Sequence, residues 1–475
     1  MGVPIDAEGP DDAEGPDDAE RAARSLNRIV EFAVTATEDQ RGSLLWLLYV
    51  AVSTVFPDEE KLSEMMRRSR LDTGAAFADW LLDDGLSRGA VEGSLGLDMD
   101  VIGSGVLVDV DFSAKNDHNT GIQRVVRRTV PVWHRDRPVI LAVWAGSTGA
   151  YRSLEAHERM RVLGPTASGE TRENESSRLL VPWKSVVVLM EVPANQRLAG
   201  LRGLARFSNN QVAALGYDAI PISSRETVSR AEANKFANYL CVVKYMSRVV
   251  GISRAAAAEF AGFASMLPAQ GLVGPVIETC SLPGEEARTL AANPPLRDRP
   301  LVLCVGSKEP RKNHVAVLIA AERLWREGAV FELLFIGAYG FDTREFRRWL
   351  RRLERDGRAV RAPERVADNE LWEAYEEARF SIFPSLHEGY GLPVAESLRF
   401  GTPVITSSYG STAEIASDGG CLIVDPSDDD AITEAMRQLL ENDELVAQLR
   451  AEALARPTRT WQHYADELWG KLGLE

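Results

Sequence analysis

The segment PSLHEGYGLPVAESLRFGTPVI, residues 384–405, reads as the end of a strand, a loop, a short helix and the start of another strand. Gly389 and Gly391 allow positive φ angles and let the backbone approach a ligand closely. Pro393 suits the first turn of the helix, and Gly401 suits the position just past its end. Because a helix N-terminus presents free N–H groups and partial positive charge, this segment predicts a phosphate site.

Two glutamates flank that predicted phosphate site. Glu388 comes just before the loop, and Glu396 lies one turn into the helix. Carboxylates are unsuited to a phosphate, but they accept hydrogen bonds from sugar hydroxyls. The pair therefore points to a sugar and a ribose as ligands, although an ordinary strand–loop–helix unit with a capping glutamate remains an alternative.

A second strand–helix junction lies about 80 residues earlier, in VGSKEPRKNH, residues 305–314. Lys308, Arg311 and Lys312 are crowded into five positions of an acidic protein. At a cleft, these cations would neutralise a diphosphate leaving group. A solvated basic loop is the alternative for this junction taken alone.

Outward from these junctions, apolar strand-like runs alternate with helical segments from about residue 100 onward. Runs such as LVLCVG at 301–306 are continuous in apolar residues, as is typical of parallel strands buried on both faces. A stretch rich in Pro, Gly and charge interrupts the pattern at 281–299. The sequence therefore predicts an α/β protein with two tandem Rossmann-like, doubly wound domains, residues 101–285 and 286–457, and a cleft between them.

The remaining segments are predicted to be a disordered tail over 1–20, a helical extension over 21–100 and a C-terminal helix in 458–475 that could pack back on the first domain. The most apolar stretch, Leu44–Phe56, has 13 residues. Since a membrane span needs about 20 residues, a core helix is favoured there. Packing, oligomerisation, partner docking and peripheral membrane contact remain open for residues 21–95.

Composition limits the functional classes. The chain has 475 residues and a net charge of −16, half of it in the acidic repeats of the first 20 residues. The absence of a basic excess argues against a nucleic-acid partner. Four scattered cysteines without a C-x-x-C pair, and an N-terminus without a basic signal region, favour a cytoplasmic protein.

The sequences PRKN (310–313) and HEGYGLPVAE (387–396), with seven residues between the two glutamates, resemble the family 4 retaining glycosyltransferases of GT-B fold. GTPVITSSYGSTAEI and CLIVDPSDDDAI continue the resemblance, which is strong over 300–455, weaker over 101–280 and absent over 1–95. It implies a hexosyltransferase that uses a nucleotide-sugar donor, retains the anomeric configuration and needs no metal or other cofactor.

The resemblance also implies roles for individual residues. Lys312, with Arg311 or Lys308 beside it, would bind the diphosphate, and Glu388 would contact the transferred sugar. Glu396 would accept from the ribose, and Val366 would line the base pocket. The other implied donor-binding residues are Gly121, Gly389, Tyr390, Gly391 and Leu392, and those on the acceptor side are His118 and Asp218.

This chain departs from the family pattern at two points. Many members have Gly-Arg where this chain has Gly306–Ser307, so the phosphate contact must come from Lys308 or Arg311. Many also have His-Asp where this chain has Tyr217–Asp218, which leaves open the residue that replaces the histidine. The six histidines show no metal-binding spacing such as H-x-x-x-H, so no metal site is predicted.

The sequence thus predicts a glycosyltransferase that moves a hexose to a hydroxyl of a saccharide or lipid-linked acceptor, in the cytoplasm or at the inner face of the membrane. GDP-mannose is the favoured donor because the PRKN and EGYGLP forms resemble bacterial mannosyl- and rhamnosyltransferases of polysaccharide assembly. Two alternatives remain: a non-catalytic scaffold subunit that binds a nucleotide sugar, and a GT-B sugar-nucleotide epimerase.

Overall fold

The structure, a computed structural model, describes residues 16–117, 120–164, 177–284 and 299–474. Within these ranges the helices are α1 (Pro16–Thr35), α2 (Glu38–Ser53), α3 (Glu59–Leu71), α4 (Gly74–Glu92), α5 (Asp111–Lys115), α6 (Gly121–Asp136), α7 (Ala156–Leu163), α8 (Leu198–Phe207), α9 (Ile220–Ser223), α10 (Arg230–Val243), α11 (Arg254–Ala264), α12 (His314–Arg326), α13 (Arg344–Arg355), α14 (Asp368–Glu377), α15 (Leu392–Arg399), α16 (Gly410–Ala416), α17 (Asp429–Glu441), α18 (Asp443–Leu454) and α19 (Trp461–Lys471).

The first sheet is built from β1 (Met99–Gly103), β2 (Val106–Asp109), β3 (Val139–Trp144), β4 (Tyr151–Ser153), β5 (Leu179–Trp183), β6 (Val186–Leu189), β7 (Gln211–Gly216), β8 (Arg248–Gly251) and β9 (Val276–Thr279). Their order is β1-β5-β4-β3-β2-β6-β7-β8-β9. The strands are parallel apart from β4, which is antiparallel to both of its neighbours.

The second sheet is built from β10 (Leu301–Val305), β11 (Glu332–Ile336), β12 (Val360–Arg361), β13 (Phe380–Phe383), β14 (Val404–Ser407) and β15 (Cys421–Val424). It is parallel throughout, in the order β12-β11-β10-β13-β14-β15. The chain reverses its direction of winding between β10 and β13, which makes a topological switch point. The predicted pair of doubly wound α/β domains is confirmed.

The N-terminal helices pack onto the first sheet and share one core with it. The ring of Phe56 lies 5.5 Å from that of Trp144 and 5.4 Å from that of Tyr151, both on strands of the sheet. Helix α1 begins at Pro16, so residues 16–20 of the predicted tail belong to this helix. The helical extension is therefore an integral layer of the first domain.

The apolar stretch Leu44–Phe56 falls largely in α2, where Trp46 and Tyr49 are fully buried. This agrees with the predicted core helix. In the part of the chain that the structure describes, no helix combines the length and hydropathy needed to cross a membrane.

The apolar run VLVDVDF, residues 106–112, predicts one continuous strand, but β2 ends early, at Asp109. The carboxylate of Asp109 accepts hydrogen bonds from the Asp111 backbone N–H at 3.0 Å and from the Tyr151 hydroxyl at 2.9 Å. Because this buried side chain holds the following backbone in a turn, the short helix α5 replaces the end of the predicted strand. Sequence analysis also missed β1, β4, β5, β9 and β12.

The last helix, α19, lies against α6 of the first domain. The Trp133 indole donates a 2.8 Å hydrogen bond to the carbonyl of Ala465, and the Trp133 and Trp469 rings are 5.6 Å apart. Leu468 is fully buried in the same cluster. The chain thus leaves the second domain and completes the core of the first.

We predict that Leu468→Ala lowers the free energy of unfolding by about 2–5 kcal/mol, through loss of apolar contact and creation of a cavity. Hydrogen–deuterium exchange should quicken in β2 and β3 and stay unchanged in β11 and β14. His463→Ala, on the exposed side of the same helix, is the control and should have little effect. Equal exchange in both sheets would contradict this placement of α19.

Candidate functional site

The candidate site lies at the switch point of the second sheet. β10 and β13 are paired neighbours, so the turn Pro310–Lys312 after β10 and the loop 384–391 after β13 meet at their carboxyl ends. The backbone N–H of Leu386 donates a 2.7 Å hydrogen bond to the carbonyl of Arg311, which joins the two loops directly. Ligands of open α/β sheets bind at this position.

Three of the predicted site residues form a single charge cluster there. Glu388 pairs through Oε1 with the Lys312 ammonium at 2.5 Å and through Oε2 with the Arg311 guanidinium at 3.1 Å. The Glu388 side chain is only 9% exposed. Burial alone would raise the pKa of Glu388, but the two cations hold it below its usual value. Arg311 also pairs with Glu309 at 3.0 Å, so the cluster of four carries no net charge.

Lys308 does not join this cluster. Its buried ammonium donates to the carbonyls of Gly337 and of Pro363, the latter at 2.8 Å. Burial lowers the pKa of Lys308 to about 8. Of the two cations predicted as alternatives beside Lys312, the structure therefore brings only Arg311 next to it.

Glu396, predicted to bind ribose, is buried and is contacted from both domains. The Tyr375 hydroxyl donates to Glu396 Oε2 at 2.9 Å. Arg124 of α6, in the first domain, pairs through Nη1 with Glu396 Oε1. The carboxylate thus already has the donors that a buried charge requires.

The N-termini of α6 and α15 face each other across the cleft. A Cβ atom added to Gly121 would lie 3.0 Å from Leu392 Cδ1. Gly391 precedes α15 with φ 105°, a conformation that favours glycine, and among the residues that the structure describes no side chain caps this helix end. The partial positive charges of two helix ends therefore converge where an anion was predicted.

On the side of the first domain, Asp218 and Tyr217 meet the loop of Gly389. A Cβ on Gly389 would lie 2.4 Å from the Tyr217 carbonyl oxygen and 2.9 Å from Asp218 Oδ2. Burial raises the pKa of Asp218 to about 6, against the opposing effect of Arg311. The Tyr217 hydroxyl donates to the Met190 carbonyl at 2.8 Å, so the side chain that replaces the family histidine points into the core.

His387 also bridges the domains. Its Nδ1 is 2.7 Å from Ser224 Oγ and its Nε2 is 2.9 Å from Glu259 Oε1, both in the first domain. The hydrogen bond and charge of Glu259 raise the pKa of His387. A histidine thus reaches the interface from the second domain rather than from position 217.

The other predicted residues occupy the periphery of this site or lie elsewhere. The Tyr390 hydroxyl donates a 2.6 Å hydrogen bond to the Leu282 carbonyl, away from the charge cluster. Val366 is half-buried against the apolar cluster that contains Leu303 and Ile336. His118 lies outside the described residues.

A metal site was not predicted. Across residues 16–117, 120–164, 177–284 and 299–474, no group of three or more His, Cys, Asp and Glu side chains has an arrangement that would hold a metal ion. Independence of metal stays a prediction.

Sequence reasoning missed Arg124, Tyr375, Glu259 and the role of His387. The motif TGIQRVVR carried one usable signal, since it places Arg124 one turn into a helix whose start was expected near the phosphates. Nothing in the order of the chain indicated its partner, which lies 272 residues away.

We predict that Gly389→Ala forces the domains apart, because a Cβ at this position collides with a backbone oxygen of the other domain. Small-angle X-ray scattering should report a larger radius of gyration with both domains folded. Gly262→Ala, on an exposed helix position with no atom near its Cβ, is the control. An unchanged scattering profile for Gly389→Ala would contradict the described interface.

Comparison with known sequences relates the second domain to a described family. Residues 287–456 match the family model "Glycosyl transferases group 1". The O-antigen chain mannosyltransferase B of Escherichia coli is 33% identical over 163 residues, 34% of this chain and 42% of that protein. The serotype-specific mannosyltransferase WbdA of Escherichia coli is 25% identical over 337 residues, 66% of this chain and 39% of that protein. The chain thus spans about 40% of the length of these relatives.

Solved structures share the two-domain architecture. Anabaena HepE in complex with UDP and glucose superposes with a TM-score of 0.55 at 11% identity, covering 78% of this chain and 99% of that one. Sucrose-phosphate synthase from Thermosynechococcus elongatus gives a TM-score of 0.54 at 14% identity, covering 78% and 98%. The fold is GT-B, and within it residues 287–456 are similar to the glycosyl transferases group 1 family.

Proposed function

We propose that this protein is a retaining, metal-independent mannosyltransferase that moves mannose from GDP-mannose to a hydroxyl of a saccharide or lipid-linked acceptor. One observation carries the proposal: Lys312, Arg311 and Glu388 form a charge cluster at the switch point, beside the uncapped N-terminus of α15. This combination suits a ligand with both phosphate and hydroxyl groups.

The diphosphate would be held by Lys312, Arg311 and the first turn of α15. Both cations pair with Glu388, and these ion pairs would orient their ammonium and guanidinium groups toward the substrate. Pre-oriented positive charge stabilises the leaving group as negative charge develops on it. Catalysis would therefore depend on electrostatics more than on a reactive side chain.

The two glutamates would bind different parts of the donor. Glu388, at the end of β13, would accept hydrogen bonds from the transferred sugar while its other contacts hold the cations. Glu396, oriented by the Tyr375 hydroxyl at 2.9 Å, would accept from the ribose. With a carboxylate on the sugar side and another on the ribose side, the diphosphate would be held in a fixed position relative to the anomeric carbon.

We assign no protein nucleophile. The leaving phosphate would take the proton from the acceptor hydroxyl on the same face of the sugar, as proposed for the family that the sequence resembles. The acceptor would enter from the first domain, where Asp218 meets the loop of Gly389. Closely packed domains would exclude water and limit hydrolysis of the donor.

Mannose and polysaccharide synthesis are supported by the two Escherichia coli relatives, which are named as mannosyltransferases. Free thiols at Cys241, Cys280, Cys304 and Cys421 support a reducing, cytoplasmic setting, at the inner face of the membrane for a lipid-linked acceptor. We also propose that the outer surface of the helical layer, residues 21–95, contacts a membrane or a partner protein.

We predict that the purified protein transfers mannose from GDP-mannose to mannose-containing oligosaccharides or lipid-linked saccharides. NMR of the product should show an axial linkage, as retention requires. Transfer should persist in excess EDTA. Hydrogen bonds from Lys312, Arg311 and the first turn of α15 would stabilise the diphosphate without a metal. Strict dependence on Mg²⁺ or Mn²⁺ would contradict this site. Donor conversion without an acceptor would indicate an epimerase, and binding without turnover would indicate a scaffold subunit.

We predict that Lys312→Met lowers kcat/KM at least about tenfold, because one charged hydrogen bond to the leaving group is worth about 1.5–3 kcal/mol. Since this change leaves Glu388 with one cation fewer, the double variant Lys312→Met/Glu388→Gln is measured beside it to separate folding from catalysis. Arg323→Met, an exposed cation on the next helix, is the control. Normal turnover by the double variant would show that the cluster only supports the fold.

A further inference from the structure

We infer, on the basis of the proposed function, that Arg124 is a donor-binding residue that exchanges partners. In the structure its guanidinium pairs with Glu396 across the domain interface. When a nucleoside diphosphate binds, the ribose hydroxyls donate hydrogen bonds to the Glu396 carboxylate in place of Arg124. The Arg124 guanidinium then binds the diphosphate. One residue of the first domain thereby senses donor bound to the second.

The positions of the two helices support this exchange. Arg124 lies three residues after Gly121 in α6, and Glu396 lies four residues after Leu392 in α15. A Cβ atom added to Gly121 would meet Leu392, so the two helix ends lie close together and the Arg124–Glu396 pair lies one turn, about 5.4 Å, deeper. Side chains on a helix lean toward its N-terminus. A guanidinium released from Glu396 therefore extends toward the predicted diphosphate.

Charge gives the exchange its driving force. Lys312 and Arg311 are already balanced by Glu388 and Glu309, so the cluster after β10 and β13 offers a diphosphate no net positive charge. Arg124 brings a further cation from the opposite wall of the cleft. A planar guanidinium forms paired hydrogen bonds with phosphate oxygens, and such bonds are stronger than neutral ones.

Glu396 makes the exchange conditional on the ligand. It is 3% exposed, and a buried carboxylate that loses its cation without replacement is strongly unfavourable. Tyr375 supplies one hydrogen bond in both states. The two ribose hydroxyls would supply the donors that Arg124 withdraws, so the arginine is released only when a nucleotide is present.

Neighbouring arginines on α6 are placed differently. Arg127 donates to the carbonyls of Ser113 and Asn116, at 3.1 Å and 2.6 Å, within the first domain. Arg128 is exposed. Arg124 pairs with Glu396 of the second domain, and the exposed Arg128 on the same helix provides a matched control.

The test compares a nucleoside diphosphate with its nucleoside, which has the ribose but no phosphate. Dissociation constants of GDP and guanosine, and of UDP and uridine in parallel, are measured for the wild type, Arg124→Met and Arg128→Met. Arg124→Met should weaken the diphosphate at least about tenfold. It should leave nucleoside binding unchanged or tighter, because the competitor for Glu396 is gone. Arg128→Met should change neither.

A second comparison guards against misfolding of the single variant. Glu396→Gln and Glu396→Gln/Arg124→Met both lack the buried charge, and the double variant should bind the diphosphate at least about tenfold more weakly than Glu396→Gln. Equal affinities of these two variants, or equal losses for diphosphate and nucleoside in Arg124→Met, would overturn the exchange and leave the proposed function intact. Failure of the wild type to bind any of the four ligands would overturn the proposed function, and the exchange with it.

Discussion

The pairing of Glu388 with Lys312 and Arg311 organises the second domain around its switch point. A buried carboxylate needs compensating cations, and the loss of one partner from such a pair costs about 3–5 kcal/mol. Because the carboxylate follows β13 and the cations follow β10, this requirement holds two loops together, in addition to the hydrogen bond from Leu386 to the Arg311 carbonyl. The same contacts set the positions of the groups that we assign to diphosphate and sugar.

The site is shared between the domains, so their relative position is part of its geometry. The Ser253 hydroxyl donates a 2.7 Å hydrogen bond to the carbonyl of Gly389, and Glu414 accepts from the backbone N–H groups at the start of α11. These contacts hold a loop of the second domain against helix ends of the first. They leave room for a main chain but not for a Cβ at Gly389, which accounts for glycine there.

The features that could be predicted from the sequence are those set by local periodicity of apolar residues and by the ends of parallel strands. The alternation of strands and helices in the second domain was predicted, and Lys312 and Glu388 were assigned to one cleft because both follow parallel strands. Strands such as β4 and β12, of three and two residues, carry too little pattern to be recognised. Arg124 and Glu259 could not be assigned, because their partners in the second domain are set by how the domains pack. Lys308 was predicted beside Lys312, but it precedes the turn Pro310–Lys312 and its ammonium is held by the carbonyls of Gly337 and Pro363.

Because α19 follows the second domain in the chain but packs on the first, it affects the order in which the two domains fold during synthesis. The second domain is inserted between the body of the first domain and the helix that completes its core, through Trp133 and Trp469. During synthesis, the first domain is made earlier but stays unfinished, with an apolar groove beside α6, until residues 461–472 emerge from the ribosome. The second domain can fold in the meantime as a continuous unit. Docking of α19, rather than completion of the first sheet, is therefore the event that closes the first domain.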